Sequence, residues 1–92
     1  MIKFAARPRL APKARLRRDR MTGKNLLLYP ERGLVLNATA SAVVELCAGE
    51  LTLAAIADRM AAPFAPSERP LVVAQVCEFV GALSERGLVV EG

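Results

Sequence analysis

The chain has 92 residues, 53% apolar and 24% charged, which is the composition of one small globular domain with a formal net charge of +4. With three Phe, one Tyr and no Trp, its core must be aliphatic. Histidine is absent, which removes the commonest general base, the commonest neutral metal ligand and the usual pH switch. Cys47 and Cys77 are the two cysteines; their wide separation fits neither a zinc motif nor a dense disulfide framework.

The opening Met1–Leu10 carries basic residues but no apolar stretch behind them, unlike a signal peptide. The longest uncharged run, Gly33 to Val44, contains Asn37, Thr39 and Ser41 and falls short of the roughly 20 apolar residues a spanning helix needs. The expectation is a soluble, cytoplasmic protein with no membrane partner. Charge is divided unevenly. Residues 1–32 hold ten Lys and Arg against Asp19 and Glu31, a net +8, and residues 33–92 hold three Arg against seven acids, a net −4. The split suits an anionic partner, a solvated basic ribbon, or neutralisation between the two halves within or between subunits.

Residues 1–14 contain Pro8 and Pro12 and read as an extended arm or edge strand. Arg15 to Arg20 is largely charged, so a strand there has one wet face. Thr22-Gly23-Lys24-Asn25 signals a turn, Leu26 to Tyr29 a strand stopped by Pro30, Glu31-Arg32-Gly33 a second turn, and Leu34-Val35-Leu36 a third strand. Period 2 puts Leu34 and Leu36 on one face and Val35 on the other.

Helical spacing follows. Asn37 is a good N-cap for Ala40, Val43, Val44 and Cys47, with Gly49 as the stop. Thr52 caps Leu53, Ile56, Ala57 and Met60, with Pro63 beyond. Ser67 is the expected cap of a third helix that tolerates Pro70 in its first turn and ends at Arg86 and Gly87. The predicted fold is α+β, a winged-helix-like βββααα unit with a three-stranded antiparallel sheet packed on three helices, forming a single domain over 1–92.

In the third helix Val72, Val76, Phe79 and Leu83 form a core stripe. A second apolar stripe, Val73, Cys77 and Val80, lies about 100° further round. It is either buried as well or forms one wall of an apolar groove.

No constellation of catalytic residues is visible. Both cysteines fall at apolar helix positions without a histidine to activate them. The acids Asp19, Glu31, Glu45, Glu50 and Asp58 are scattered, and there is no glycine-rich phosphate loop. The expectation is a protein that is not an enzyme and has no cofactor or metal. Two binding readings remain. A winged-helix DNA-binding protein shares the inventory of three helices and a small sheet, but its third helix would offer Gln75, Glu78, Glu85 and Arg86 to the duplex, where the acids repel phosphate. A peptide-binding module fits better: an extended peptide can pair with Leu34, Val35, Leu36 and Asn37 at the sheet edge and drop side chains onto the third helix.

Pro8-Arg9-Leu10, Leu27-Leu28-Tyr29-Pro30-Glu31, Leu34-x-Leu36-Asn37, Glu45-Leu46-Cys47-x-Gly49-x-x-Thr52 with Ile56, and Phe79-x-x-x-Leu83-x-x-Arg86-Gly87-Leu88 together resemble the PqqD family of pyrroloquinoline quinone (PQQ) biosynthesis. The resemblance covers roughly residues 7–90, and its most specific piece is the Leu-Leu-Tyr-Pro-Glu run followed by Leu-x-Leu-Asn. It departs at Ala48-Gly49, where the family often has Asp-Gly, and in the loop from Ala62 to Ser67. The resemblance implies a non-catalytic peptide chaperone with the RiPP recognition element fold. Such a protein binds the precursor peptide PqqA by strand addition at the third strand and against the third helix. It presents the peptide to the radical-SAM enzyme PqqE. Carried onto this chain, the peptide site is Leu34, Val35, Leu36 and Asn37 with Val73, Val76, Cys77 and Val80. Arg15 to Arg20 is a candidate contact for PqqE. No nucleic-acid partner is expected, and a monomer is favoured over an arm-swapped homodimer.

Overall fold

The structure, a computed structural model, describes residues 2–29 and 32–91. Its elements in chain order are β1 (Pro8–Leu10), β2 (Arg15–Arg18), β3 (Asn25–Tyr29), β4 (Arg32–Leu36), α1 (Ala38–Leu46), α2 (Leu53–Ala61), α3 (Arg69–Glu85) and β5 (Val89–Glu91). β2, β3 and β4 form a three-stranded antiparallel sheet in that order, followed by the three helices. This is the expected βββααα unit, and the third strand of the sequence reading is β4.

The sheet builds its core face by simple alternation. Leu16, Leu27 and Leu34 lie directly opposite one another and face inward; Leu27 is completely buried. α1 and α2 cover that face with Val43, Val44, Leu53 and Ile56, and α3 adds Val76, Val80 and Leu83. Burying each large aliphatic side chain contributes about 1.5–3 kcal/mol, so this aliphatic cluster suffices without aromatics.

Two of the three expected caps are in place. Asn37 Oδ1 accepts the Ala40 N–H at 2.7 Å, and Thr52 Oγ1 accepts that of Ala55 at 3.1 Å. α3 begins later than expected, with Glu68 rather than Ser67 in the cap position and no side-chain cap bond. Its start is held from elsewhere: Arg69 Nε donates to Phe64 O at 3.0 Å and a second guanidinium N–H to Ala62 O at 3.3 Å. Pro70 sits in the first turn, where its missing N–H costs no helical bond.

Arg32 and Gly33, expected in a turn with Glu31, are instead the first two residues of β4. Gly33 is a β4 residue opposite Leu28, and a Cβ there would come within 3.2 Å of the Leu28 side chain. Pro30 and Glu31 lie outside the described residues.

The extended arm is not free. β1 pairs antiparallel with β5, a strand the sequence reading missed by stopping at Gly87. The arm is also tied to the helices. Leu53 N–H donates to Ala6 O at 2.8 Å, Ala54 N–H to Phe4 O at 3.1 Å and Leu10 N–H to Cys47 O at 3.1 Å. Gly49, at φ +84°, closes α1 and sends its N–H to Pro8 O at 3.0 Å, a conformation that favours glycine. Ile2 is buried at the arm's start.

Candidate functional site

β4 is an edge strand among the described residues: β3 occupies one side, and no described strand pairs with the other. Leu34 and Leu36 turn inward, half-buried and buried respectively. Val35 turns outward and is 59% exposed, opposite Leu26. Arg15, Arg17 and Leu28 share that outer face. The edge therefore offers backbone hydrogen-bonding groups to an incoming strand, the feature by which sheets are extended.

At its end the strand runs directly into the α1 cap, Asn37, which is exposed. Asn37 also borders an open groove of about 450 Å³ between α1 and the first half of α3. Its apolar lining comes from Ala40 and Val43 of α1, Met60 of α2, and Val72, Val76 and Phe79 of α3. Gln75 is the polar α3 residue on this wall. The 100° step of the helix explains the set: 72, 75, 76 and 79 fall on one face.

The four expected strand residues are thus contiguous and lead to this groove, while the four expected helix residues divide. Val76 lines the groove at 4% exposure. Val80 is completely buried in the core, and Val73 is half-buried against it. Cys77 opens instead onto a second groove of about 480 Å³, between α3 and the arm, with Ile2, Phe4 and Leu53. The stripe of Val73, Cys77 and Val80 therefore lies on the far side of the core line from the β4–α1 junction. Val72 and Phe79, read from the sequence as core, are the half-buried side chains that face the groove. Periodicity does not separate these two flanks, because both are apolar and only the position of α1 distinguishes them.

Burial pushes the Cys47 thiol from an ordinary 9.0 up to about 11. Burial, with a smaller contribution from the Asp58 charge, also raises that of Cys77. Both thiols stay protonated near neutrality, the opposite of an activated nucleophile. Asp19 is held below the usual carboxylate range by the Met21 N–H and the Thr22 hydroxyl. Among the described residues no three His, Cys, Asp or Glu side chains cluster as metal ligands, and no helix is long and apolar enough to cross a membrane.

Comparison with known proteins agrees with this architecture. Residues 25–89 match the family described as coenzyme PQQ synthesis protein D (PqqD). A PqqA binding protein of Bradyrhizobium diazoefficiens is 31% identical over 98% of this chain and 86% of its own length. One from Rhodopseudomonas palustris is 30% identical over 98% and 87%. Among solved structures, the solution NMR structure of the PqqD truncation of Methylobacterium extorquens PqqCD, described as a functional, stand-alone RiPP recognition element, superposes with a TM-score of 0.75. It is 27% identical, over 98% of this chain and 95% of that one. With its sheet and helices in the same arrangement and the match running from β3 into β5, the chain belongs to the PqqD family.

Proposed function

We propose that this chain is a non-catalytic peptide chaperone of PQQ biosynthesis, which binds the precursor peptide PqqA as an added strand beside β4 and presents it to the radical-SAM enzyme PqqE. The observation that carries the reading is the continuity of an unpaired β4 edge with an apolar groove through Asn37. The PqqA-binding relatives support the identity of the peptide. In this reading Leu34, Val35, Leu36 and Asn37 supply backbone pairing, and Val76 together with Val72 and Phe79 receives alternate peptide side chains. Val80 and Val73 support the wall from behind. Cys77 faces away from the peptide.

The energetics require both parts. Each new backbone hydrogen bond nets about 0.5–1.5 kcal/mol, and ordering the peptide costs about 2–5 kcal/mol. A handful of strand bonds roughly offsets the ordering, so the groove supplies the affinity. The exposed Arg15 and Arg17 beside Leu28 and Val35 make the outer sheet face the candidate contact for PqqE, which would then meet the sheet and the added strand together. Titration of isotope-labelled protein with synthetic PqqA tests the reading. Saturable amide shifts at residues 34–37 and at Val72, Val76 and Phe79 are expected; shifts confined to Phe4 and Cys77, or none, would reject it.

A further inference from the structure

A third recess lies at the other flank of Asn37, across the end of the sheet. Its polar side chains are Arg18 of β2, Lys24 just before β3, Asn25 of β3, the cap Asn37, and Ser41 of α1, and Val35 and Leu36 of β4 complete its wall. Arg18 and Asn25 are directly paired across the strands, and Asn25 is paired in turn with Leu36. The three strand ends and the first turn of α1 therefore converge on one space.

Ser41 is the residue that needs explaining. It is 4% exposed, and its Oγ has no hydrogen-bond partner. A buried helical serine usually donates to the carbonyl four residues back. Here Asn37 O accepts only the Ser41 N–H, at 2.9 Å. A buried hydroxyl left unpaired costs free energy that a ligand oxygen would recover.

The electrostatics of the recess all have one sign. Arg18 and Lys24 bring two positive charges. The nine-residue α1 points its N-terminus here with no acid in its first turn. Asn37 satisfies the Ala40 N–H, which leaves the Ala38 and Thr39 N–H groups without an intrahelical partner. Asp19, the acid of the adjoining turn, is already engaged by Met21 N–H at 2.9 Å and Thr22 Oγ1 at 3.0 Å. Among the described residues no carboxylate lines the space.

We infer that this recess is a carboxylate-binding subsite, filled by an acidic side chain of the peptide where the added strand passes the end of β4. The occupant rests on the strand-addition reading; the pocket does not. An anion here accepts from the first-turn N–H groups while Arg18 and Lys24 neutralise it, and a turn of the Ser41 side chain toward the recess adds its hydroxyl, so one ligand group resolves the orphaned hydroxyl and the uncompensated charge together.

The pocket and its occupant are tested separately. Glutarate and inorganic phosphate are titrated at constant ionic strength into the labelled full chain. Glutarate should give saturable shifts at the amides of Asn25, Ala38, Thr39 and Ser41, and none in the Arg18→Ala/Lys24→Ala variant. Ser41→Ala, expected to fold normally, should bind glutarate about tenfold more weakly, the loss of one hydrogen bond to a charged group. No saturable shift up to tens of millimolar, the same shifts in the double variant, or phosphate binding without glutarate binding overturns the site. Synthetic PqqA with each Asp or Glu changed singly to its amide then tests the occupant. One such change should weaken binding about tenfold to the native chain and leave binding to the Arg18→Ala/Lys24→Ala variant unaltered. If every amide peptide binds as the native one does, the peptide is not the occupant. If native PqqA does not bind at all, strand addition fails as well, and the glutarate titration still decides the pocket.

Discussion

Val76 and Cys77 are neighbours in the chain and line opposite grooves of the molecule: Val76 faces α1 beside the β4 edge, and Cys77 faces the N-terminal arm. One helical step of 100° separates a residue of the α1-facing groove from one that lines the groove beside the arm. The pair marks two flanks of α3, and the proposed peptide site uses the one facing α1; Val80 and Leu83 are sealed in the core.

Substitution along α3 should follow that division. Phe79→Ala, at a half-buried groove position, is expected to weaken PqqA binding at least tenfold while the protein stays folded. Cys77→Ala should leave affinity within a factor of two, a range of about 0.4 kcal/mol. Val80→Asp places an unpaired carboxylate in the core and should destabilise by more than about 4 kcal/mol, so that the variant fails to fold. Calorimetric titration and thermal melts read all three. A folded, peptide-dead Val80→Asp protein would move the groove to the other flank.

The two N-caps make a matched control. Asn37→Ala and Thr52→Ala each remove one side-chain cap bond and should cost about 1 kcal/mol of stability. Only Asn37 borders the groove and the β4 edge, so only its replacement should lower peptide affinity beyond what the lost stability explains. Equal effects of the two on binding would place recognition elsewhere.

Much of this organisation is legible in the residues themselves. Alternation in Leu34-Val35-Leu36 and the caps Asn37 and Thr52 are local signals, and local geometry obeys them. β5 is not, because Val89-Val90 becomes a strand only when β1 arrives from the far end of the chain. The groove flank is hidden for a similar reason. Val72 and Cys77 are both apolar, and which one lines the groove beside α1 depends on where α1 and the arm dock. Ser41 is the least visible, since nothing in Ala40-Ser41-Ala42 distinguishes a buried, unpartnered hydroxyl from a solvent-facing one.

Cys47 should give the protein a specific alkaline sensitivity. Its thiol pKa is raised on folding from 9.0 to about 11, so the folded state favours the protonated form. The stability tied to that preference is complete below pH 9 and is lost as pH rises to about 11, because the unfolded chain releases the proton first. Cys47→Ala should lack this component. Denaturant unfolding at several pH values from 8 to 11 checks it: the difference between native and variant should shrink through this window, and a constant difference contradicts the assignment.

The arm gives a prediction about assembly. Its hydrogen bonds reach Cys47, Gly49, Leu53, Ala54 and Leu88 of the same chain, so exchange with a second copy would gain no new contact. Sedimentation at micromolar concentration should show a single boundary at the 9.9 kDa monomer. Deleting residues 1–7 should lower the melting temperature by exposing the α3–arm groove, and should leave PqqA affinity unchanged. A stable dimer, or a loss of peptide binding on deletion, contradicts this account of the arm.

Strand addition at β4 is the central claim, and amide hydrogen exchange tests it most directly. Successive residues of a strand send their N–H groups to opposite sides, so a peptide pairing with the free edge can protect only alternate amides of β4. With saturating synthetic PqqA, exchange at every second amide across residues 32–37 should slow at least tenfold, while the intervening amides, already bonded to β3, change little. Uniform protection of the whole strand, or protection limited to the helices, would mean that the peptide binds without becoming a fourth strand.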